Sequence, residues 1–337
     1  MKIKTNIQNL KNYRVYLKVE QTVQKFLQKK GYLKIDLPVL SPVLIPESYL
    51  EVFETEFKYF KRREKLYLTP SPELFLKRLL AYGIGDCYYL GKAFRNSEPS
   101  SDYHLPEYTM LEYYHVGFTY LQLANEILEM MKFICSRLYS NNKEFEITYQ
   151  EKKISFEKWE KFTVAEAFEK FAQISEKELF NQKLFIKKAA EKGYKVKGFS
   201  YQDIFSQIIS QEIEPKLGKN GKPTLLYDYP TEMSSLAKLS KDGKTAKRVE
   251  FYIDGIEIGG CCEELNNWQE QKKRFVDQMK KRIDVGMVNH AVDNGFIEAL
   301  QYGLPDCSGA GIGFERLVMI FADVQSINQL KLISVET

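Results

Sequence analysis

Two arginines lie in sequence surroundings that suit phosphate binding. Arg95 precedes a long polar loop, and an arginine there can bind two oxygens of a phosphate or carboxylate through its planar guanidinium. Arg316 opens a helix directly behind Gly311 and Gly313. The glycines allow a ligand to approach the backbone, and a helix start favours anions. Either arginine alone could be a surface ion-pair residue, but together they predict a site for a nucleotide triphosphate.

A pair of glutamates lies on a predicted β-hairpin whose turn is Asp254-Gly255. Asp-Gly between alternating apolar residues is the strongest short hairpin signal. A two-residue turn puts Tyr252 opposite Glu257, so Glu250 and Glu257 share a face with Cα atoms roughly 7–8 Å apart. Two carboxylates at that spacing can bind one or two magnesium ions together with a triphosphate. Two glutamates on a solvated hairpin face are the alternative, and a slipped register would separate them.

Regular elements must position these residues. Apolar spacing predicts helices over Leu10–Lys30, Ser71–Leu80, Tyr120–Leu138, Val164–Phe171, Tyr201–Glu212, Asn267–Val285 and Phe314–Ala322, and strands over Tyr32–Pro38, Cys87–Arg95 and Glu107–Tyr114. Side chains alternate along a strand, so Tyr108, Glu112 and Tyr114 share one face. Glu73 lies in the first turn of a helix that Ser71 can cap, where a purely structural role is the alternative.

The composition limits the class of protein. A net charge of +4 and a pI of about 8.5 fall short of a strongly basic nucleic-acid binder. The basic clusters Lys61–Arg63 and Lys280–Arg282 are predicted to be solvated faces. Five cysteines without CxxC spacing indicate a reducing compartment and neither zinc nor disulfides. Residues 1–14 have no apolar stretch long enough for a signal peptide, and no run approaches the length of a membrane span, so we expect a cytoplasmic protein.

The order of these motifs resembles the class II aminoacyl-tRNA synthetases, and among them the lysyl-tRNA synthetase branch. Leu33–Pro38, with the preceding helix, is similar to the dimer-forming motif 1. Phe94–Glu112 is similar to motif 2, and Gly311–Arg316 to motif 3. The lysine branch is indicated by Thr69–Leu79 and by Glu257–Asn266. The resemblance covers nearly all of the chain outside its middle region.

The resemblance implies an α+β fold in which an antiparallel β-sheet is flanked by helices. It implies one catalytic domain over residues 1–337, with a peripheral insertion at about 141–247, and a homodimer. Because only about ninety residues precede Arg95, we expect no anticodon-binding domain in front of it. With Leu304–Gly309 before motif 3, the chain resembles the elongation factor P lysyltransferases.

That family activates lysine, preferably (R)-β-lysine, with ATP and transfers it to a lysine of elongation factor P. The resemblance therefore implies ATP and Mg²⁺, lysine or β-lysine as substrate, and elongation factor P as partner, with neither tRNA nor a membrane. The lysine carboxylate attacks the α-phosphorus in line and pyrophosphate leaves. Arginines and magnesium stabilise the charge, and no general base is required.

The resemblance also implies a role for each matching position. The ATP-binding positions are Arg95, His104, Tyr108, Glu257, Gly311, Gly313 and Arg316. The substrate-binding positions are Glu73, Arg95, Glu112, Tyr114 and Glu264. Glu73 receives the amino group nearest the carboxylate, whereas Glu112, Tyr114 and Glu264 bind the distal ammonium. The magnesium-binding positions are Glu250 and Glu257, and the catalytic positions are Arg95 and Arg316.

Four positions depart from the family pattern. Gly260 stands where asparagine is usual, and Cys262 stands where an aromatic residue is usual, which predicts a smaller pocket wall. Gly311 matches the synthetases, whereas the lysyltransferases usually have alanine there. Ser97 stands in place of a glutamate, for which the neighbouring Glu98 could substitute.

The sequence is also compatible with other functions. The chain could be a stand-alone lysyl-tRNA synthetase that charges tRNA, although its moderate charge disfavours this. It could be an inactive regulatory paralogue, although retention of both arginines and both hairpin glutamates disfavours that. Asparagine synthetase shares the fold, but aspartate would need a basic pocket where Glu112 and Glu264 stand.

Overall fold

The structure, a computed structural model, describes residues 2–96, 101–139 and 144–336. The chain forms two compact units. The first unit comprises Met1–Gly117 and Leu265–Thr337, and the second comprises Phe118–Glu264. One catalytic domain with an insertion at 141–247 stays a prediction. Ser97 and Glu98 lie outside the described residues.

The strands and helices are named in chain order. The strands are β1 (Lys2–Thr5), β2 (Leu33–Lys34), β3 (Leu40–Ser41), β4 (Glu54–Tyr59), β5 (Arg62–Leu68), β6 (Cys87–Phe94), β7 (Glu107–Val116), β8 (Glu146–Tyr149), β9 (Lys152–Ser155), β10 (Glu160–Thr163), β11 (Thr224–Pro230), β12 (Thr245–Ile253), β13 (Ile256–Glu263), β14 (Cys307–Gly313) and β15 (Ile333–Glu336). The α-helices are α1 (Leu10–Lys29), α2 (Glu73–Ala81), α3 (Tyr120–Leu138), α4 (Val164–Ala167), α5 (Glu176–Leu179), α6 (Gln182–Glu191), α7 (Tyr201–Ile208), α8 (Trp268–Asp284), α9 (Asn294–Gly303) and α10 (Phe314–Phe321). No helix in the described part of the chain is both long and apolar enough to cross a membrane.

The sheet of the first unit has the order β14-β7-β6-β2. β14 pairs antiparallel with β7, and β7 pairs antiparallel with β6. β2 pairs with β6 in parallel, so the prediction of an antiparallel sheet holds except at this edge. Two smaller sheets join β1 to β15 and β3 to β5 and β4. The long strands β6, β7 and β14 form the frame on which the arginine and glutamate motifs lie.

Local sequence signals predict where most of these helices and strands begin and end. α1 confirms the predicted helix, and Gly31 follows it with φ +92°, a conformation that suits glycine. α3 has the predicted bounds because Thr119 and Gln122 form a capping box at its start. The predicted strand Tyr32–Pro38 is wrong beyond Leu33–Lys34. The backbone N–H of Ile35 still donates to the backbone oxygen of Tyr88 at 2.8 Å, and Pro38 has no N–H to donate to a ladder.

The second unit contains four strands in the order β10-β11-β12-β13. β10 and β11 are parallel, whereas the other pairs are antiparallel. Each of the two predicted helices over 164–171 and 201–212 begins as an α-helix and continues as a π-helical turn, over Phe168–Ala172 and Ile209–Ile213. These segments pack into one buried apolar cluster around Phe168 and Phe205.

Helix α8 buries Phe275, and its last turn buries a residue that the sequence placed in solvent. Arg282, predicted on a solvated face, is 1% exposed, whereas the neighbouring Ile283 is 56% exposed. Its guanidinium donates to the backbone oxygens of Glu47 and Val288, each at 2.7 Å, and pairs with Glu51 at 3.2 Å. Because backbone carbonyls surround it, the buried cation is solvated by protein instead of water.

Candidate active site

The centre of the first unit's sheet presents a face of small residues. Because directly opposed residues share a face, the register brings together Glu112 on β7, Gly309, Gly311 and Gly313 on β14, and Gly91 and Ala93 on β6. We call these five small residues the small-residue face. Gly311 lies directly opposite Glu112, and a Cβ at Gly311 would be 2.9 Å from the methyl carbon of Met110. On β6, Tyr89 lies opposite Glu112 and its side chain lies over Gly91, so a small residue lies directly beside Glu112 only on the β14 side.

Glu112 is a buried carboxylate, 4% exposed, held by two hydroxyl groups. Ser71 donates to its Oε2 at 2.8 Å, and Tyr114 donates to its Oε1 at 2.7 Å. Burial, followed by the negative charge of Glu73, raises the pKa of Glu112 to about 8. A carboxylate in this setting needs a cation to be stably ionised. Glu112 is therefore suited to receive an ammonium group.

Glu73 is joined to Glu112 through Ser71. The backbone N–H of Glu73 donates to the Ser71 hydroxyl oxygen at 3.0 Å, and that hydroxyl donates to Glu112. The carboxylate of Glu73 accepts a hydrogen bond from Lys77, one helical turn further along α2. Lys77 is 1% exposed and was missed as a site residue. Its signal in the sequence is the Glu–Lys spacing of four residues.

Arg95 lies against Tyr108 at the edge of the same site. The guanidinium carbon lies 5.3 Å from the Tyr108 ring centroid, a cation–π distance. The Tyr108 hydroxyl donates to the backbone oxygen of Pro70 at 3.1 Å. Tyr108 is thus tied to the segment that carries Ser71. Arg95 begins the β6–β7 connection, and its backbone N–H donates to the backbone oxygen of Pro106 at 2.9 Å.

Arg316 and His104 contact each other directly. Nη2 of Arg316 lies 2.8 Å from Nε2 of His104, and its Nε donates to the backbone oxygen of Tyr103 at 3.0 Å. A guanidinium can only donate, so Nε2 of His104 accepts and the ring proton lies on Nδ1. Nδ1 lies 3.0 Å from the hydroxyl oxygen of Ser101 and can donate to it. The pair joins the loop before β7 to the start of α10.

Glu315 anchors the helix that carries Arg316, and the sequence analysis did not assign it a role. Both of its oxygens accept from the backbone N–H of Thr109, at 3.0 and 2.9 Å, and Lys331 donates to it at 2.5 Å. The residue is 2% exposed. Because Thr109 lies on β7 between Tyr108 and Glu112, this contact fixes Arg316 relative to the strand that carries the pocket.

In the second unit, the predicted hairpin is confirmed. Tyr252 pairs with Glu257 and Ile253 with Ile256, across the Asp254-Gly255 turn. The register then shifts by one residue, so Glu250 lies opposite Gly260. A β-bulge of this kind cannot be seen in an alternating sequence pattern.

The carboxylate of Glu250 already has three donors. Tyr229 and Tyr252 donate to its Oε2 at 2.5 and 2.7 Å, and Arg248 pairs with its Oε1. Carboxylate oxygens are the donors that Mg²⁺ prefers, but these contacts occupy Glu250. Among the described residues no three acidic, histidine or cysteine side chains form a metal-binding group. Glu250 as arranged here does not fit a metal.

Glu264 ends the second unit as a buried carboxylate, 2% exposed. The thiol of Cys262 lies 3.4 Å from its Oε1 and can donate to it. The neighbouring Cys261 donates to the backbone oxygen of Tyr120, and burial raises the pKa of that thiol well above its usual range. All five cysteines are free.

The predicted site residues thus fall into two groups. The first unit holds Glu73, Arg95, His104, Tyr108, Glu112, Tyr114, Gly311, Gly313 and Arg316, and the second holds Glu250, Glu257 and Glu264. Within the first unit, contacts connect Glu73, Glu112 and Tyr114 as one cluster, Arg95 with Tyr108 as a second, and His104 with Arg316 as a third.

The fold and the three motifs define the class of protein. The family of class II tRNA synthetases for aspartate, lysine and asparagine matches residues 1–334, and the chain belongs to this family. The predicted α+β fold is thereby confirmed.

Curated relatives narrow the comparison within that family. The chain is 32% identical over 328 residues to the elongation factor P–(R)-β-lysine ligase of Buchnera aphidicola subsp. Schizaphis graminum, covering 95% of this chain and 94% of the relative. It is 33% identical over 312 residues to the ligase of that name from Vibrio vulnificus, covering 91% and 90% of the two chains. It is 30% identical over 329 residues to that of Haemophilus influenzae, covering 96% and 94%.

Proposed function

We propose that this chain activates lysine with ATP as lysyl-adenylate and transfers the lysyl group to a lysine side chain of elongation factor P, with (R)-β-lysine as the preferred substrate. The observation that carries the proposal is the buried carboxylate of Glu112 beside the small-residue face. The relatives named as ligases of elongation factor P and (R)-β-lysine support the choice of acceptor and of substrate.

The substrate ammonium groups are received by the carboxylates. Glu112, with Tyr114 beside it, binds the distal ammonium, and the substrate-binding role of Glu264 stays a prediction. Glu73 receives the amino group nearest the substrate carboxylate, while Lys77 orients Glu73 from the helix. A buried ammonium must be paired, which is why carboxylates line this pocket.

ATP is held by the arginine clusters. Arg95 binds the α-phosphate and the substrate carboxylate, Tyr108 stacks on adenine, and Arg316 with His104 binds the remaining phosphates. A carboxylate oxygen of lysine attacks the α-phosphorus, the bond to the bridging oxygen breaks, and pyrophosphate leaves. Arg95 and Arg316 stabilise the charge that develops on the phosphate oxygens. The amine of the acceptor lysine then attacks the acyl carbon, and AMP leaves.

Magnesium remains a prediction for this site. Glu257, half-buried on β13, offers oxygen donors of the right kind. Glu250 would have to exchange its contacts with Arg248 for the metal. Bound magnesium would neutralise the phosphates of ATP.

A homodimer through motif 1 is also part of the proposal. Apolar side chains on α1 and on β2 and β3 are exposed in the single chain, among them Leu17, Leu33 and Leu40, and such patches mark interfaces. The cytoplasmic location and the exclusion of tRNA stay predictions from the composition.

The test is a competition between acceptors. Purified protein is incubated with ATP, magnesium and labelled α-lysine or (R)-β-lysine, with elongation factor P and tRNA present together. We expect label on elongation factor P. Label on tRNA would identify a stand-alone synthetase. Pyrophosphate exchange without transfer to elongation factor P would show that elongation factor P is not the acceptor. Absence of exchange would point to the inactive regulatory paralogue.

A further inference from the structure

One β-hairpin of the first unit is exposed along nearly its whole length. It comprises β4, the turn Phe60-Lys61 and β5, and we call it the arm. Every residue of β4 is exposed, as are the first four residues of β5. The order β3-β5-β4 leaves β4 at the edge of its sheet. Exposure on both faces means that the outer part of the arm contributes little to a hydrophobic core.

The tip of the arm carries aromatic residues where a turn would favour glycine. Tyr59 pairs with Arg62, so Phe60 and Lys61 form a two-residue turn, and Phe60 has φ +52°. A hairpin turn with positive φ at its first central position prefers glycine there. Phe60 is nevertheless 89% exposed and packs edge-on against Tyr59, which is 60% exposed. An exposed, strained phenylalanine stabilises neither the turn nor the core, which points to a role in binding.

The charges around the tip suit a protein surface better than a nucleic acid. The outer arm, 54–65, contains five cations and three glutamates. Four of the cations lie 2.5–3.2 Å from a glutamate of the same hairpin, at Lys58, Arg62, Arg63 and Lys65. Nucleic-acid binding is driven by cations that contact phosphates and release counterions. Aromatic residues and arginine inside a rim of mixed charge are typical of protein interfaces.

The base of the arm leads directly into the candidate active site. β5 ends at Leu68, and within three residues the chain reaches Pro70, which binds Tyr108, and Ser71, which binds Glu112. Seven strand residues span about 20 Å, so the tip extends that far from the pocket edge. A partner that touches both the tip and the pocket edge must span about 20 Å.

We propose that the arm is the docking element for the protein that accepts the activated amino acid, with Phe60 entering an apolar pocket that has an acidic rim. This inference rests on the proposed function. A second copy of the chain is a poorer occupant, because a symmetric contact between two arms would bring the same excess of cations together.

The experiment compares Phe60→Gly with wild type in two reactions. Glycine suits the turn, so the variant keeps the hairpin while removing the aromatic ring. We expect unchanged pyrophosphate exchange with lysine and at least a tenfold rise in the KM for elongation factor P during transfer. Phe60→Trp should restore most of the transfer. Tyr302→Ala removes an aromatic residue that is 82% exposed elsewhere in the first unit, and should change neither reaction.

Several outcomes would overturn the inference. Transfer that is unchanged in Phe60→Gly would remove the arm from acceptor binding. Loss of pyrophosphate exchange would make the arm part of the activation site. A change from dimer to monomer in sedimentation would identify a second copy as the occupant. If wild type itself exchanges pyrophosphate but does not label elongation factor P, the proposed function fails and the acceptor role of the arm fails with it.

Discussion

Lysine binding should depend on pH through Glu112. The residue is buried, its pKa is raised to about 8, and only its ionised form can pair with an ammonium group. At pH 7 about one site in ten is therefore ionised before substrate binds. The KM for lysine in pyrophosphate exchange should fall about tenfold for each pH unit between pH 6 and 8, and level off above pH 8.

The same ionisation fixes the pH dependence of folding stability. The folded-state pKa lies above the ordinary value of 4.5, so the folded chain prefers protonated Glu112. Its contribution to stability is fully present below about pH 4.5 and is lost as the pH rises towards 8, by up to about 1.4 kcal/mol per pH unit. Glu112→Gln removes this loss, so the variant should gain stability over wild type at pH 8 while binding lysine weakly at every pH.

The assay is pyrophosphate exchange at saturating ATP from pH 6 to 9, with urea unfolding at pH 5 and 8 in parallel. Glu107→Gln is the matched control, because Glu107 lies on the same strand with its side chain 57% exposed and should behave as wild type. A lysine KM that is flat across this range in wild type, or a Glu112→Gln variant with a wild-type KM, would refute the reasoning.

Two further predictions concern stability and packing. Arg282→Ala should lower the free energy of unfolding by roughly 3–5 kcal/mol in urea titration, because it leaves Glu51 and buried carbonyls without their cation; a loss below about 1 kcal/mol would contradict the buried ion pair. Gly260→Ala should destabilise the chain more than Gly311→Ala, because a Cβ at 260 would lie 2.8 Å from the backbone oxygen of Val249, whereas at 311 it meets only the movable end of a methionine side chain. Equal melting temperatures for the two variants would argue against this difference.

The sequence predicted what short-range patterns encode. Helix α3, with its capping box, and the turn at Asp254-Gly255 are set by residues a few positions apart, and both were placed correctly. The common face of Glu112 and Tyr114 follows from strand alternation alone. Their hydrogen bond is consistent with that prediction.

The features that the sequence did not predict depend on contacts between residues far apart in the chain. Arg282 is buried against the backbone carbonyls of Glu47 and Leu50, which are more than 200 positions away, and a local charge pattern indicates only a solvated helix face. The bulge that sets Glu250 opposite Gly260 is a property of the paired strands and not of either strand alone. The contact between Glu315 and Thr109 likewise joins two motifs that are 206 positions apart.

The small-residue face limits which substitutions can change the substrate specificity of this pocket. On β14, Gly309, Gly311 and Gly313 offer a ligand only main chain, so this strand has no side chain whose exchange could select a new substrate. A side chain larger than a methyl group at Gly311 would fill the space directly beside Glu112. A change of substrate therefore requires substitutions at the carboxylates and their hydroxyl partners. A mutant library aimed at new substrates should randomise those positions and keep the glycines.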